Sequence, residues 1–142
     1  MTEKELELRH WLNRAFYADK KAKALEMLVE QCRERSQRLT VCWEGNDSGR
    51  KSGSQNGTEE AIMKLIDVSH KAAAQRLEAV SVLAEIQERI TTLKDYDLEA
   101  VLIHRYLLFH TDSETAEIMH YDERTIRRKR QLAIEKLSGC VL

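Results

Sequence analysis

Two long stretches of the chain carry apolar residues at alternating spacings of four and three. In the first, Trp11, Ala15, Ala18, Ala22, Leu25, Val29, Cys32, Ser36, Leu39 and Trp43 make a stripe that only Ser36 interrupts with a clearly polar group. Leu8, Leu12 and Leu28 widen it, and Lys, Arg and Glu fill the other faces. This period puts the apolar side chains on one side of a helix. Residues 1–44 are therefore expected to form one long amphipathic helix. In the second stretch the stripe runs through Ile62, Leu65, Ser69, Ala72, Arg76, Ala79, Leu83, Ile86, Ile90 and Leu93, broken at Ser69 and Arg76. Thr58 is placed to cap it, with Glu59 and Glu60 favourably set in the first turn, so a second long helix is expected over 58–94.

Between the two lies GNDSGRKSGSQNG, residues 45–57, which holds no apolar residue. Such a segment buries nothing and reads as a flexible Gly/Ser-rich loop. A phosphate-cradling loop would need G-x-x-x-x-G-K-[ST] after a strand, and neither is present. At the helical rise each flanking helix spans roughly 50–60 Å. Two helices of similar length on either side of a short loop are expected to fold back as an antiparallel coiled-coil hairpin. The same stripes suit pairing with another copy, so a homodimer through the coiled-coil region stays open beside the intrachain pairing.

Residues 95–142 have a finer grain. KDYD (Lys94–Asp97) interrupts the stripe, and Asp97 is expected to cap a helix from Leu98 to about Phe109. Its apolar residues are Leu98, Val101, Leu102, Tyr106 and Phe109. Thr111 and Glu114 then form a T-x-x-E capping box, which starts a short helix near Asp112. His120-Tyr121 suits a turn, and Asp122 is placed to cap a last helix that reaches about Leu137 before Ser138-Gly139. A helix-turn-helix needs a small residue where its two helices cross closely, and Ala116 stands there. It needs a turn about four residues later, at His120, and an inward branched residue ten positions on from Ala116, which is Ile126. Thr115, Met119, Tyr121, Ala133 and Leu137 are the expected remainder of the small core. His120 stands where glycine is usual, and histidine tolerates a left-handed backbone better than most residues. Lys129 stands where an apolar residue is common, with Leu132 the expected compensation. The fold class expected is all-α: a long antiparallel coiled-coil hairpin followed by a C-terminal helix-turn-helix domain.

Composition agrees with helices. Proline is absent, and four of the five glycines fall within residues 45–57. The net charge is only -1, so nucleic-acid binding has to rest on local clustering. That clustering is present. Arg124, Arg127, Arg128, Lys129 and Arg130 are five of the seven residues from 124 to 130. In a helix-turn-helix the N-terminal part of the second helix enters the major groove. Arg124 and Arg128 share a face with Thr125 and are the candidates for base edges, where arginine donates two hydrogen bonds to guanine. Arg127, Arg130 and Lys129 suit phosphates.

No apolar run approaches the roughly 20 residues of a membrane span, and MTEKELELRH lacks the apolar core of a signal peptide. A cytoplasmic protein without membrane contact is expected. The three cysteines have no C-x-x-C spacing and the five histidines no H-E-x-x-H pattern, so no metal or cofactor is expected. No Ser-His-Asp, Cys-His or paired-carboxylate arrangement stands out, so neither enzymatic activity nor a small-molecule substrate is expected.

The helix from Leu98, then T-x-x-E-x-A, a turn, D-x-R-T-I-R-R, and A-x-x-K-L behind it, resemble region 4 of the sigma-70 family. The wider layout is similar to small sigma-like regulators of phages and prophages of Gram-positive bacteria, the late-gene activators of ArpU and RinA type. Ile103–Leu108, IHRYLL, matches their R-Y-L element. The specific part of the likeness covers about the last third of the chain. The resemblance implies a transcriptional regulator that binds double-stranded promoter DNA through Arg124, Thr125, Arg127 and Arg128 and touches RNA polymerase. The acidic and glutamine base readers of sigma factors stand here as arginines, so their sequence preference does not carry over. Two other readings fit the same elements: a module that engages RNA polymerase or a sigma factor without reading DNA, and a DNA-packaging component resembling a small terminase subunit. The first would be favoured if Glu78, Glu85 and Glu88 covered the basic face.

Overall fold

The structure, a computed structural model, describes the backbone of residues 2–44 and 51–139 and the side chains of 2–38 and 57–139. Every regular element among the described residues is helical: α1 (Glu3–Leu12), α2 (Arg14–Glu44), α3 (Lys51–Thr91), α4 (Tyr96–Leu102), a π-helical turn (Ile103–Leu107), α5 (Asp112–Met119) and α6 (Glu123–Gly139). None of these helices is long and apolar enough to cross a membrane. The chain divides into two compact units. One gathers Met1–Ala18 with Ala79–Leu142, and the other is Asp19–Glu78.

The first long helix is not continuous. Thr2 caps α1, its hydroxyl accepting from the Glu5 amide, and the helix ends at Asn13, whose backbone sits near φ -70° and ψ -10°. Bonds from the Asn13 amide to Arg9 and from the Tyr17 amide to Asn13 carry the ladder across the break. Asparagine weakens a helix interior because its side chain competes for backbone groups. The second long helix starts earlier than the sequence suggests, at Lys51, which places Thr58 inside α3 rather than at its cap. Residues 45–50 of the expected loop lie outside the described residues. Once a packed helix exists, each added residue gains a hydrogen bond without a new nucleation cost, and no proline bars the extension.

In Asp19–Glu78, Arg76 of α3 reaches Asp19 and Glu26 of α2. Ala22 and Ser36 of α2 and Ala72 of α3 are buried, with Leu25, Val29, Cys32 and Leu65 half-buried. Arg76, which breaks the apolar stripe, binds across the pair. Its guanidinium donates to Asp19 at 2.8 Å and to Glu26 at 2.6 and 3.0 Å. Those bonds raise the Arg76 pKa and draw the Glu26 carboxyl below its ordinary value. Two residues assigned to the stripes, Leu28 and Ile62, are exposed instead, and Leu39 and Trp43 lie outside the described side chains. The apolar face of each helix is wider than its partner, so its edges stay outside.

In the other unit, Leu8, Leu12 and Ala15 meet Val82, Ile86 and Ile90, Leu98, Leu102, Tyr106 and Leu107, and Ala133, Ile134 and Leu137. Asp95, not Asp97, caps α4, accepting from the amides of Asp97 and Leu98. The expected helix to Phe109 stops short. After α4 the ladder widens into the π turn, and Phe109 takes a left-handed backbone with φ 61°. This turns His110 back on His104. Its amide donates to the His104 carbonyl at 2.8 Å, and the two Nδ1 atoms stand 3.0 Å apart. A hydrogen bond between two neutral imidazoles needs one Nδ1–H and one bare Nδ1. Burial, and then the neighbouring His110, push the His104 pKa down.

Candidate nucleic-acid interface

The last two helices owe their geometry to a few local devices. Thr111 caps α5: its hydroxyl accepts from the Glu114 amide at 3.2 Å and donates to the Glu114 carboxylate at 3.1 Å. Thr115 is 1% exposed, its hydroxyl closing on the Thr111 carbonyl at 2.9 Å. α5 ends at His120, which adopts φ 61° and ψ 42°. The amides of His120 and Tyr121 both donate to the Ala116 carbonyl, which satisfies the helix end in the way a left-handed cap does. α6 then crosses α5. Ile126 packs with Ala116, Val101 and the half-buried Met119 in a cluster of its own. Ala133 and Leu137 are fully buried in the main core beside Ile134.

Two expectations for this core fail. Tyr121 is exposed, its hydroxyl donating to Asp97 at 3.0 Å. Leu132 is exposed as well, so it does not compensate for Lys129. Lys129 fills its own place. Its stem is half-buried, and its ammonium sits 3.3 Å from Asp97 and 5.0 Å from the Tyr121 ring centroid. The Tyr121 hydroxyl, and then Lys129, hold the Asp97 carboxyl below the ordinary value. Asp97 thereby ties the start of α4 to α6, a task that outweighs capping.

The six candidate contact residues separate into two groups. Arg124, Arg127 and Arg128 are exposed, with Thr125 half-buried among them. Arg127 keeps a loose pair with Glu123 at 3.8 Å, one turn earlier, while Arg124 and Arg128 make no ion pair among the described residues. Lys129 and Arg130 are each paired with a carboxylate of a neighbouring helix. Arg130 is bound to Asp112 in the first turn of α5, and both side chains are largely buried. Both cations thus tie α6 to its neighbours, Lys129 to Asp97 of α4 and Arg130 to Asp112 of α5, and their charge is partly offset there. From behind, α1 steadies the same helix: Arg9 donates to Gln131 at 2.5 Å, and Gln131 to Glu5 at 3.4 Å. Of the carboxylates named as covering the face, Glu85 pairs with Arg14.

Sequence reading missed Asp97 and Asp112 as the partners of Lys129 and Arg130, which are 32 and 18 residues away. No local signal marks such pairs. It also missed Ile134, although the spacing of eight from Ile126 puts it on the inner face.

What the arrangement offers is a helix end with three exposed guanidiniums and the half-buried Thr125 among them, packed from behind by α1, α4 and α5. Comparison with family models, with curated proteins and with solved structures returned no match for this chain.

Proposed function

We propose that α5, the His120 turn and α6 form a helix-turn-helix, and that the chain is a DNA-binding transcriptional regulator reading promoter or operator DNA with the first half of α6. The observation that carries the reading is the division among the cations of α6. Lys129 and Arg130 are neutralised by Asp97 and Asp112, whereas Arg124 and Arg128 stand exposed on one face with no carboxylate among the described residues to neutralise them. Like charges one turn apart destabilise a helix, so a fold does not gain from placing them there. Phosphates and guanine edges reward them. The resemblance of residues 98–137 to region 4 of sigma-70 supports transcription as the setting, with RNA polymerase as a second contact, a phage or prophage source and a cytoplasmic place of action. α2 and α3 would serve as a coiled-coil hairpin that sets oligomerisation or contacts a partner protein.

The test is a mobility-shift titration of the full chain with a mixed-sequence duplex at low salt. Wild type is expected to shift the duplex, and Arg124→Ala with Arg128→Ala to abolish the shift while the helical circular dichroism stays unchanged. Absence of any shift by wild type refutes the reading.

A further inference from the structure

Within Asp19–Glu78, α3 carries a second apolar stripe that α2 leaves uncovered. Ile62, Ile66, Ser69, Ala73 and Leu77 recur at spacings of four, three, four and four, which holds them on one side of the helix. Ile62 is 43% exposed, Ile66 53% and Leu77 72%, with Met63 beside them at 69%. On the inner side of the same helix Leu65 is half-buried and Ala72 is buried. Single exposed apolar residues are ordinary, but a continuous stripe of them marks an interaction surface.

We propose that this stripe seats a second copy of the same chain, whose α3 lies across it antiparallel, with the twofold axis between Ser69 and His70. Three observations select that occupant. First, the stripe is self-complementary in this register. Reversed about its midpoint, Ile62 meets Leu77 of the second copy and Ile66 meets Ala73, twice over. A twofold interface requires one patch that matches itself in this way. Second, large meets small. Ala73, with Ser69 and Ala72, lines a groove of about 560 Å³ between α2 and α3, and the register aims the branched Ile66 of the second copy at it as a knob into a hole. Glu26, Glu30 and Arg33 on the α2 side and Arg76, bound to Glu26, on the α3 side also line the groove, giving the polar rim usual around an apolar contact. Third, the exposed area is of the right order: Ile62, Ile66 and Leu77 together expose about 300 Å², with Met63 at the edge of the stripe, a substantial part of the apolar share of the roughly 800 Å² each partner buries in a standard interface.

The register supplies its own test. In the absence of DNA, so that the outcome is independent of the nucleic-acid reading, sedimentation equilibrium of the full chain is expected to give twice the 16.5 kDa chain mass. Ala73→Glu and Ile66→Lys each place a charge against an apolar partner and are expected to sediment as monomers with unchanged helical circular dichroism. Mixed one to one, they are expected to re-form a dimer. One contact then sets the introduced carboxylate of the first variant against the introduced ammonium of the second, and the other stays Ile66 against Ala73. Leu77→Glu, at the ends of the interface, is expected to be monomeric as well. A monomeric or higher-order wild type, dimeric single variants, or a mixture that stays monomeric overturns the proposal.

Discussion

Arg128 and Arg130 stand two residues apart on α6 with the same charge, and replacing each by alanine is expected to break a different property. The Arg130 side chain is 16% exposed and that of its partner Asp112 is 17% exposed. Arg130→Ala strands the carboxylate. Removing one member of a fully buried ion pair costs about 3–5 kcal/mol. Asp112 lies in the first turn of α5 and keeps the helix N-terminus, worth about 0.3–1 kcal/mol. Residual solvent access lowers the loss further, so about 2 kcal/mol is expected. Arg128 is exposed and touches no carboxylate among the described residues, so Arg128→Ala is expected to change stability by less than about 0.5 kcal/mol. If the chain binds DNA as proposed, its cost falls there. A lost base contact weakens binding by about 1–3 kcal/mol, and a lost phosphate contact lowers the slope of log affinity against log salt by about 0.9. Urea unfolding followed by circular dichroism reads the first quantity. Fluorescence anisotropy with a labelled duplex at several salt concentrations reads the second. Equal stability losses for the two variants, or an Arg130→Ala chain of full stability that binds DNA as weakly as Arg128→Ala, would refute the division of labour.

Two other outcomes follow from the same geometry. Ile126 is 1% exposed among Val101, Ala116 and Met119, so Ile126→Ala is expected to cost about 3 kcal/mol and Ile126→Val about 1 kcal/mol; equal costs in urea unfolding would show that the cluster collapses around the cavity. The lowered His104 pKa, set by burial and by His110, means that the folded state prefers the neutral ring. Its contribution to stability is complete above the unfolded value of about 6.5 and declines as the pH falls from there toward the folded value. His104→Gln is expected to flatten the stability profile between about pH 7.5 and 5.5, and an unchanged profile in pH-stepped urea titrations would remove the histidine pair as its source.

Much of the fold was legible in the sequence because its determinants are local. The period of apolar positions fixes a helix and its buried side, and the Thr111 cap and the turn at His120 are set by residues within four positions of each other. The apolar stripe misled where a helix is wider than the surface that covers it, as at Leu28 and Ile62. Asp97 was misread because capping is a local rule, and its bonds to Tyr121 and Lys129 come from residues more than twenty positions away. Leu132 failed as compensation for a related reason: the stem of Lys129 fills the place once Asp97 takes its charge.

By itself the sequence determined that the chain is helical, where the short C-terminal helices begin and end to within a few residues, and that positive charge concentrates on residues 124–130. These follow from spacing, capping and composition, all of which act between neighbours. Only the tertiary structure decided which of those charges are available. Arg130 is paired because α5 brings Asp112 against it, and Lys129 because α4 brings Asp97 against it. Arg124 and Arg128 stay open because no described carboxylate is folded onto their side of α6. An ion pair depends on distance in space, and the sequence records only distance along the chain.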